Sequence, residues 1–71
     1  MTTSQKEILD IMVSEFKTAV SNANANENKI EDLDSRLMSY LFHLAKSKQE
    51  QKELRKIGYF FDKRRAFLLS L

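Results

Sequence analysis

Eight of the twelve basic residues lie between Lys46 and Leu71: Lys46, Lys48, Lys52, Arg55, Lys56, Lys63, Arg64 and Arg65. That segment holds only three acids, a local charge of +5, whereas Met1 to Ala45 holds four basic residues against seven acidic ones, a local charge of −3. The whole-chain charge of +2 hides the asymmetry. Ammonium groups neutralise phosphate as point charges, and guanidinium adds a planar, two-pronged hydrogen-bonding fork. A small polarised protein can therefore set its positive end against a polyanion while the other end packs or faces water. His43, the only histidine, opens this segment. It reads either as a half-buried edge residue or as a hydrogen-bonding group beside the basic turn.

The cations differ in what they imply. Lys46, Lys48, Lys52, Arg55 and Lys56 taken alone describe an ordinary solvated surface, with Glu50 and Glu53 close enough in sequence to pair with Lys46, Lys48 or Lys56. Lys63-Arg64-Arg65 is harder to leave in water. Three consecutive cations on a helix point in directions about 100° apart, so one must approach the apolar face unless it snorkels. Arg64 falls on the core spacing itself. A cation there requires a partner, either a carboxylate of a neighbouring helix or a phosphate.

Other chemistry has little to stand on. There is no phosphate-cradling glycine loop, no cluster of His, Cys and Asp at metal-ligand spacing, and no histidine pair. Glu27, Glu31, Asp32 and Asp34 read as first-turn acids favoured by a helix dipole. A small closed bundle also offers no obvious substrate pocket. We expect no enzymatic activity, no cofactor and no bound metal.

The elements that must position these groups are helical. Seventy-one residues with no cysteine, no proline and one glycine make a single domain, 1–71, near the lower size at which one core holds a fold without staples. No apolar run approaches the roughly 20 residues that span a bilayer, and the N-terminus lacks signal or transit-peptide features. Ser4-Gln5-Lys6-Glu7 has a capping-box pattern that opens a helix over about 4–20. Its apolar stripe is Ile8, Ile11, Met12, Phe16 and Ala19 or Val20. The asparagine-alternating stretch that follows forms a loop over about 21–27, because asparagine side chains compete with helical hydrogen bonds. A second helix runs over about 28–46, starting at Asn28 with Glu31 completing its cap, and carries Ile30, Leu33, Leu37, Tyr40 or Leu41, and Leu44. Ser47 and Glu50 mark a turn at about 47–49, and a third helix follows over about 48–71.

A short turn between two long helices forces them antiparallel. The expected fold is all-α: a three-helix bundle in which a long hairpin of the second and third helices is closed by a docking N-terminal helix. A core this small leaves only a few kcal/mol of stability. Residues 5–20 are accordingly expected to be less protected than 54–68 in the free protein. Gly58 inside the third helix costs about 1 kcal/mol relative to alanine and reads as a close helix contact, with a kink or a ligand approach as the alternative. The rings of Tyr40, Phe42, Tyr59, Phe60 and Phe67 exceed what one small core requires. They leave open a helical protein partner or a second copy of the chain.

Read without gaps from Glu15-Phe16 to Leu71, the chain resembles the bacterial and organellar ribosomal protein S15 family. The resemblance rests on Glu15-Phe16, Glu27, Ile30, Leu33, His43-Leu44, Lys48, Arg55, Lys63-Arg64-Arg65, Leu68 and Leu71, and on the position of the turn. It implies binding to small-subunit ribosomal RNA, at a three-way junction and at the shallow minor groove of an adjoining helix, where A-form RNA exposes 2′-hydroxyls and base edges. It also implies neighbouring ribosomal proteins, no membrane contact, and residence on the ribosome of a bacterial cytoplasm or an organelle. By this carry-over His43 and Glu50 meet the minor groove. Lys46, Lys48, Lys52, Arg55, Lys63, Arg64 and Arg65 neutralise phosphates, and Asn24, Asn26 and Glu27 face the junction. The chain departs from the family pattern at Ser47, Glu50, Glu53 and Leu54 in the turn and at Ala23-Asn24 in the loop, and the sequence given ends before the family's customary C-terminal helix. Glu53 in place of a serine puts negative charge near phosphate and should weaken binding.

Overall fold

The computed structural model describes residues 1–22 and 24–71; Ala23, half of the loop pair in which the chain departs from the S15 pattern, lies outside them. Among the described residues there are four helices and no strand: α1 (Thr3–Ser21), α2 (Glu27–Leu44), α3 (Lys48–Tyr59) and α4 (Phe61–Leu69). No helix among these residues is long and apolar enough to cross a membrane.

Each boundary has a local cause. Thr2, not Ser4, caps α1: its hydroxyl accepts from the Gln5 N–H at 3.1 Å, and Gln5 Oε1 accepts from the Thr2 N–H at 2.9 Å. The reciprocal box exists, two residues earlier than expected. The asparagines after Ser21 act as chain punctuation. Asn22 Oδ1 accepts from the Asn24 N–H at 3.0 Å, and Asn26 Oδ1 accepts from the Asn28 N–H at 2.8 Å. The N-cap of α2 is therefore Asn26 rather than Asn28. Ser47 caps α3 by accepting from the Glu50 N–H at 3.2 Å, and Glu50 Oε2 accepts from the Lys46 N–H at 3.0 Å. The turn thus spans 45–47, slightly ahead of the expected 47–49.

The largest departure is in the last third, where a single helix over 48–71 was expected. The chain breaks at Phe60, whose extended backbone (φ −102°, ψ 120°) separates α3 from α4. In a continuous helix the Gly58 carbonyl would accept from the N–H four residues on. Here it accepts instead from Arg64 Nη1, at 3.4 Å. A glycine followed by three aromatic residues has weak helix propensity, so one side-chain bond suffices to take over that carbonyl.

The core is small: Phe16 and Ala19 from α1, Ile30 and Leu37 from α2, and Leu68 from α4. Leu9, Met12, Val13, Val20, Leu33, Met38, Leu41 and Phe67 pack around it. The stripe of α1 is therefore rotated from the expected one. Leu9 and Val13 face inward, while Ile8 and Ile11 are 47% and 59% exposed. Helix α3 contributes no buried residue at all. As the chain advances through α3 and α4 it meets α2 at progressively earlier positions: Arg55 lies over Phe42, Gly58 faces Met38, Arg64 pairs with Asp34 and Arg65 with Glu27.

Candidate nucleic-acid interface

Most of the residues singled out in the sequence gather toward the two ends of α2; Arg64 instead meets its middle at Asp34. Eighteen residues of helix hold the ends about 27 Å apart. At one end, His43, Lys46, Lys48, Glu50, Lys52 and Arg55 surround the α2–α3 turn, and all are exposed. At the other, Arg65 reaches Glu27, next to the Asn26 cap and the exposed Asn24.

The charges at the two ends are in opposite states. Among the described residues the ion pairs are Lys6–Asp10, Asp32–Arg36, Asp34–Arg64 and Glu27–Arg65. None uses Lys46, Lys48, Lys52, Arg55 or Lys56. The expected local pairing with Glu50 and Glu53 does not form. Glu50 holds the Lys46 backbone N–H instead, and Glu53 Oε1 accepts from the Gln49 side chain at 3.3 Å. At about 100° per residue, Lys48, Lys52 and Arg55 fall within a narrow arc of α3, and Glu50 and Glu53 lie more than a quarter-turn away. The turn thus presents a row of solvated cations with its acids directed elsewhere.

Arg64 and Arg65 are already engaged inside the fold. Arg64 Nε lies 2.9 Å from Asp34 Oδ1, a close ionic contact whose geometry is not that of an aligned hydrogen bond; the aligned bond runs from Nη2 to Oδ2 at 3.2 Å. Asp34 is completely buried. It is not a first-turn acid, since α2 begins at Glu27 and Asp34 lies two turns inside it. Arg65 Nη2 bonds Glu27 Oε1 at 2.7 Å and stacks over the Phe61 ring, 4.3 Å from its centroid. Lys63 is exposed and lies over Phe60 at 5.0 Å. The carboxylate partner that Arg64 required was legible as a need, but which acid supplies it was not.

His43 is exposed and its ring stacks on Tyr40 with centroids 6.3 Å apart. Its imidazole therefore lies outside the core, on the side of α2 that carries Tyr40, whose hydroxyl donates to the Gln5 carbonyl of α1. A feature the sequence did not reveal lies on the α2–α3 seam. Met38, Phe42, Leu54 and Gly58 line an open groove of about 630 Å³, with Arg55 and Tyr59 on its α3 side. Gly58 helps keep it open, since a Cβ there would meet Met38 Cε at 3.2 Å.

Among the described residues no three acidic or histidine side chains gather closely enough to hold a metal ion. Comparisons with protein-family models, with curated proteins and with solved structures returned no match.

Proposed function

We propose that this chain is an S15-like architectural protein of the small ribosomal subunit, binding ribosomal RNA without catalysis and without a cofactor. The observation that carries the reading is the set of exposed cations Lys46, Lys48, Lys52 and Arg55 around the α2–α3 turn, none of which forms an ion pair among the described residues. Free cations release counterions from an RNA backbone on binding, which supplies a large, salt-dependent share of the affinity. In this reading α3 and α4 act as one bent third helix of a three-helix bundle. The hairpin turn then enters a shallow minor groove through His43 and Glu50, and the α1–α2 connector with Asn24, Asn26 and Glu27 meets a helical junction about 27 Å away. Arg64 and Arg65 take a structural part, fastening α4 to α2, and Lys63 remains for phosphate. The protein would reside on a bacterial or organellar ribosome among neighbouring ribosomal proteins.

The test is binding to a small-subunit three-way-junction RNA across a salt series, with an unbranched duplex of equal length as control. Preference for the junction, with a log–log salt slope of about −3 or steeper, supports the reading. Equal weak binding to both RNAs removes it. A second reading, a helical protein-interaction module, draws on the exposure of Ile8, Ile11, Tyr59 and Phe60. Concentration-dependent self-association in sedimentation, without RNA binding, would favour it.

A further inference from the structure

The α2–α3 groove joins Arg55 of the cation row to an aromatic ring and an apolar surface that the minor-groove and junction contacts leave unused. Its floor and walls are apolar: Met38, Phe42, Leu54 and the bare backbone of Gly58. On its α3 side stand Arg55 and Tyr59, one turn apart and so about 6 Å along the axis. Tyr59 is 81% exposed, an unusual state for a ring. Phe60 meets its ring edge-on with centroids 5.1 Å apart. Arg55 lies over a ring already, its guanidinium carbon 5.1 Å from the Phe42 centroid. Ser39 adds a hydroxyl at the α2 side of the groove.

The electrostatics select the occupant. Lys48, Lys52, Arg55 and Tyr59 share one face of α3, an arc of about 60° at 100° per residue. The cation row from the turn therefore leads directly to the exposed ring. Glu50 and Glu53 lie on other faces of the same helix. A row of cations ending in an accessible aromatic ring beside an apolar slot is the arrangement that tracks a phosphate backbone and stacks a base. A wholly apolar partner helix would leave those cations unanswered.

We infer that this groove is a binding site for an unpaired nucleotide of single-stranded RNA, its base stacked on Tyr59 against the Met38–Gly58 floor and its flanking phosphates on Arg55 and Lys52. The inference rests on the RNA-binding reading and deepens it: Lys52 and Arg55 belong to the cation row already assigned to phosphates, and Tyr59 with the apolar groove adds a base-stacking contact on the helix face away from Glu50.

The test uses the full chain and four probes: a hexameric oligoadenylate, the matching abasic ribose-phosphate strand, the three-way-junction RNA, and an acidic amphipathic helical peptide. Affinities are measured by fluorescence anisotropy and the Tyr59 ring resonances by NMR. Oligoadenylate is expected to bind about 5- to 150-fold more tightly than the abasic strand, the range for stacking one base, and to shift the Tyr59 resonances. Tyr59→Ala should reduce oligoadenylate affinity to the abasic level, while Tyr59→Phe retains it. Because Tyr59 is so exposed, an unchanged circular dichroism spectrum should accompany both variants. Equal affinity for oligoadenylate and abasic strand overturns the inference, as does unaltered binding by Tyr59→Ala. Junction binding with no response to oligoadenylate overturns it while leaving the ribosomal reading in place. Failure to bind any of the three RNAs removes both. An acidic amphipathic helical peptide that shifts Tyr59 where oligoadenylate does not would also overturn it, and would make the groove a protein site.

Discussion

Arg64 on α4 and Asp34 on α2 approach to 2.9 Å, and the acid has no exposure to solvent while the arginine side chain retains 22%. The same guanidinium bonds the Gly58 carbonyl. One side chain thus fastens α4 to α2 and stabilises the break that separates α4 from α3. Breaking a buried pair by deleting one partner leaves an uncompensated charge and costs 3–5 kcal/mol in fully buried cases. Partial exposure of Arg64 lowers that figure, so Arg64→Met should cost about 2–3 kcal/mol in urea denaturation. Removing both charges with Asp34→Leu and Arg64→Met should recover most of the loss. A double variant as unstable as the single one would mean that the pair itself, rather than the stranded acid, carries the effect.

Gly58 sets two properties against each other. Gly58→Ala gains up to about 1 kcal/mol of helix propensity. The new methyl meets only the flexible end of Met38, at 3.2 Å. The expected net result is a stabilisation of about 0.5 kcal/mol, seen as a raised melting temperature, together with weaker oligoadenylate binding because the groove is shallower. Destabilisation instead would show that Met38 cannot move aside.

The caps separate residues that look alike in the sequence. Thr2→Ala and Ser47→Ala each remove a side-chain acceptor from a helix start and should cost about 1 kcal/mol. Ser4→Ala, inside α1, should stay within a few tenths of a kcal/mol of the parent. Thermal denaturation of the three variants is sufficient to check this.

Hydrogen exchange should reveal an uneven fold. Helix α1 buries Phe16 and Ala19, whereas α3 buries nothing, and segments with little burial open most readily. Amides of residues 51–58 should exchange before those of 12–19 in the free protein, the reverse of what length and composition suggested for the first helix. RNA binding at the turn should slow exchange in α3 most.

The cations can be sorted by salt dependence. Replacing Lys48 or Lys52 with alanine should lower the salt slope of RNA binding by about one unit each, with little change in stability. Arg65→Ala should change the slope less and cost up to about 1 kcal/mol of stability, because its side chain, 23% exposed, already holds Glu27.

How much of this was written in the sequence depends on the range of the interaction responsible. The all-helical character and the two connectors follow from propensity and from Asn26 and Ser47, which act on backbone groups two or three residues away. The need of Arg64 for a partner was likewise evident, because a cation on a core spacing is costly wherever it occurs. Tertiary contact decided the rest. Ile8 and Leu9 are equally apolar, and only the docking of α1 on α2 turned Leu9 inward and left Ile8 in water. Asp34 was one acid among four near the start of α2 until the approach of α4 made it the buried partner. The break at Phe60 depends on a guanidinium six residues from the carbonyl it takes. Periodicity along a chain specifies which residues share a face. Which face meets a neighbour is settled only when the helices pack and the polar groups between them find partners.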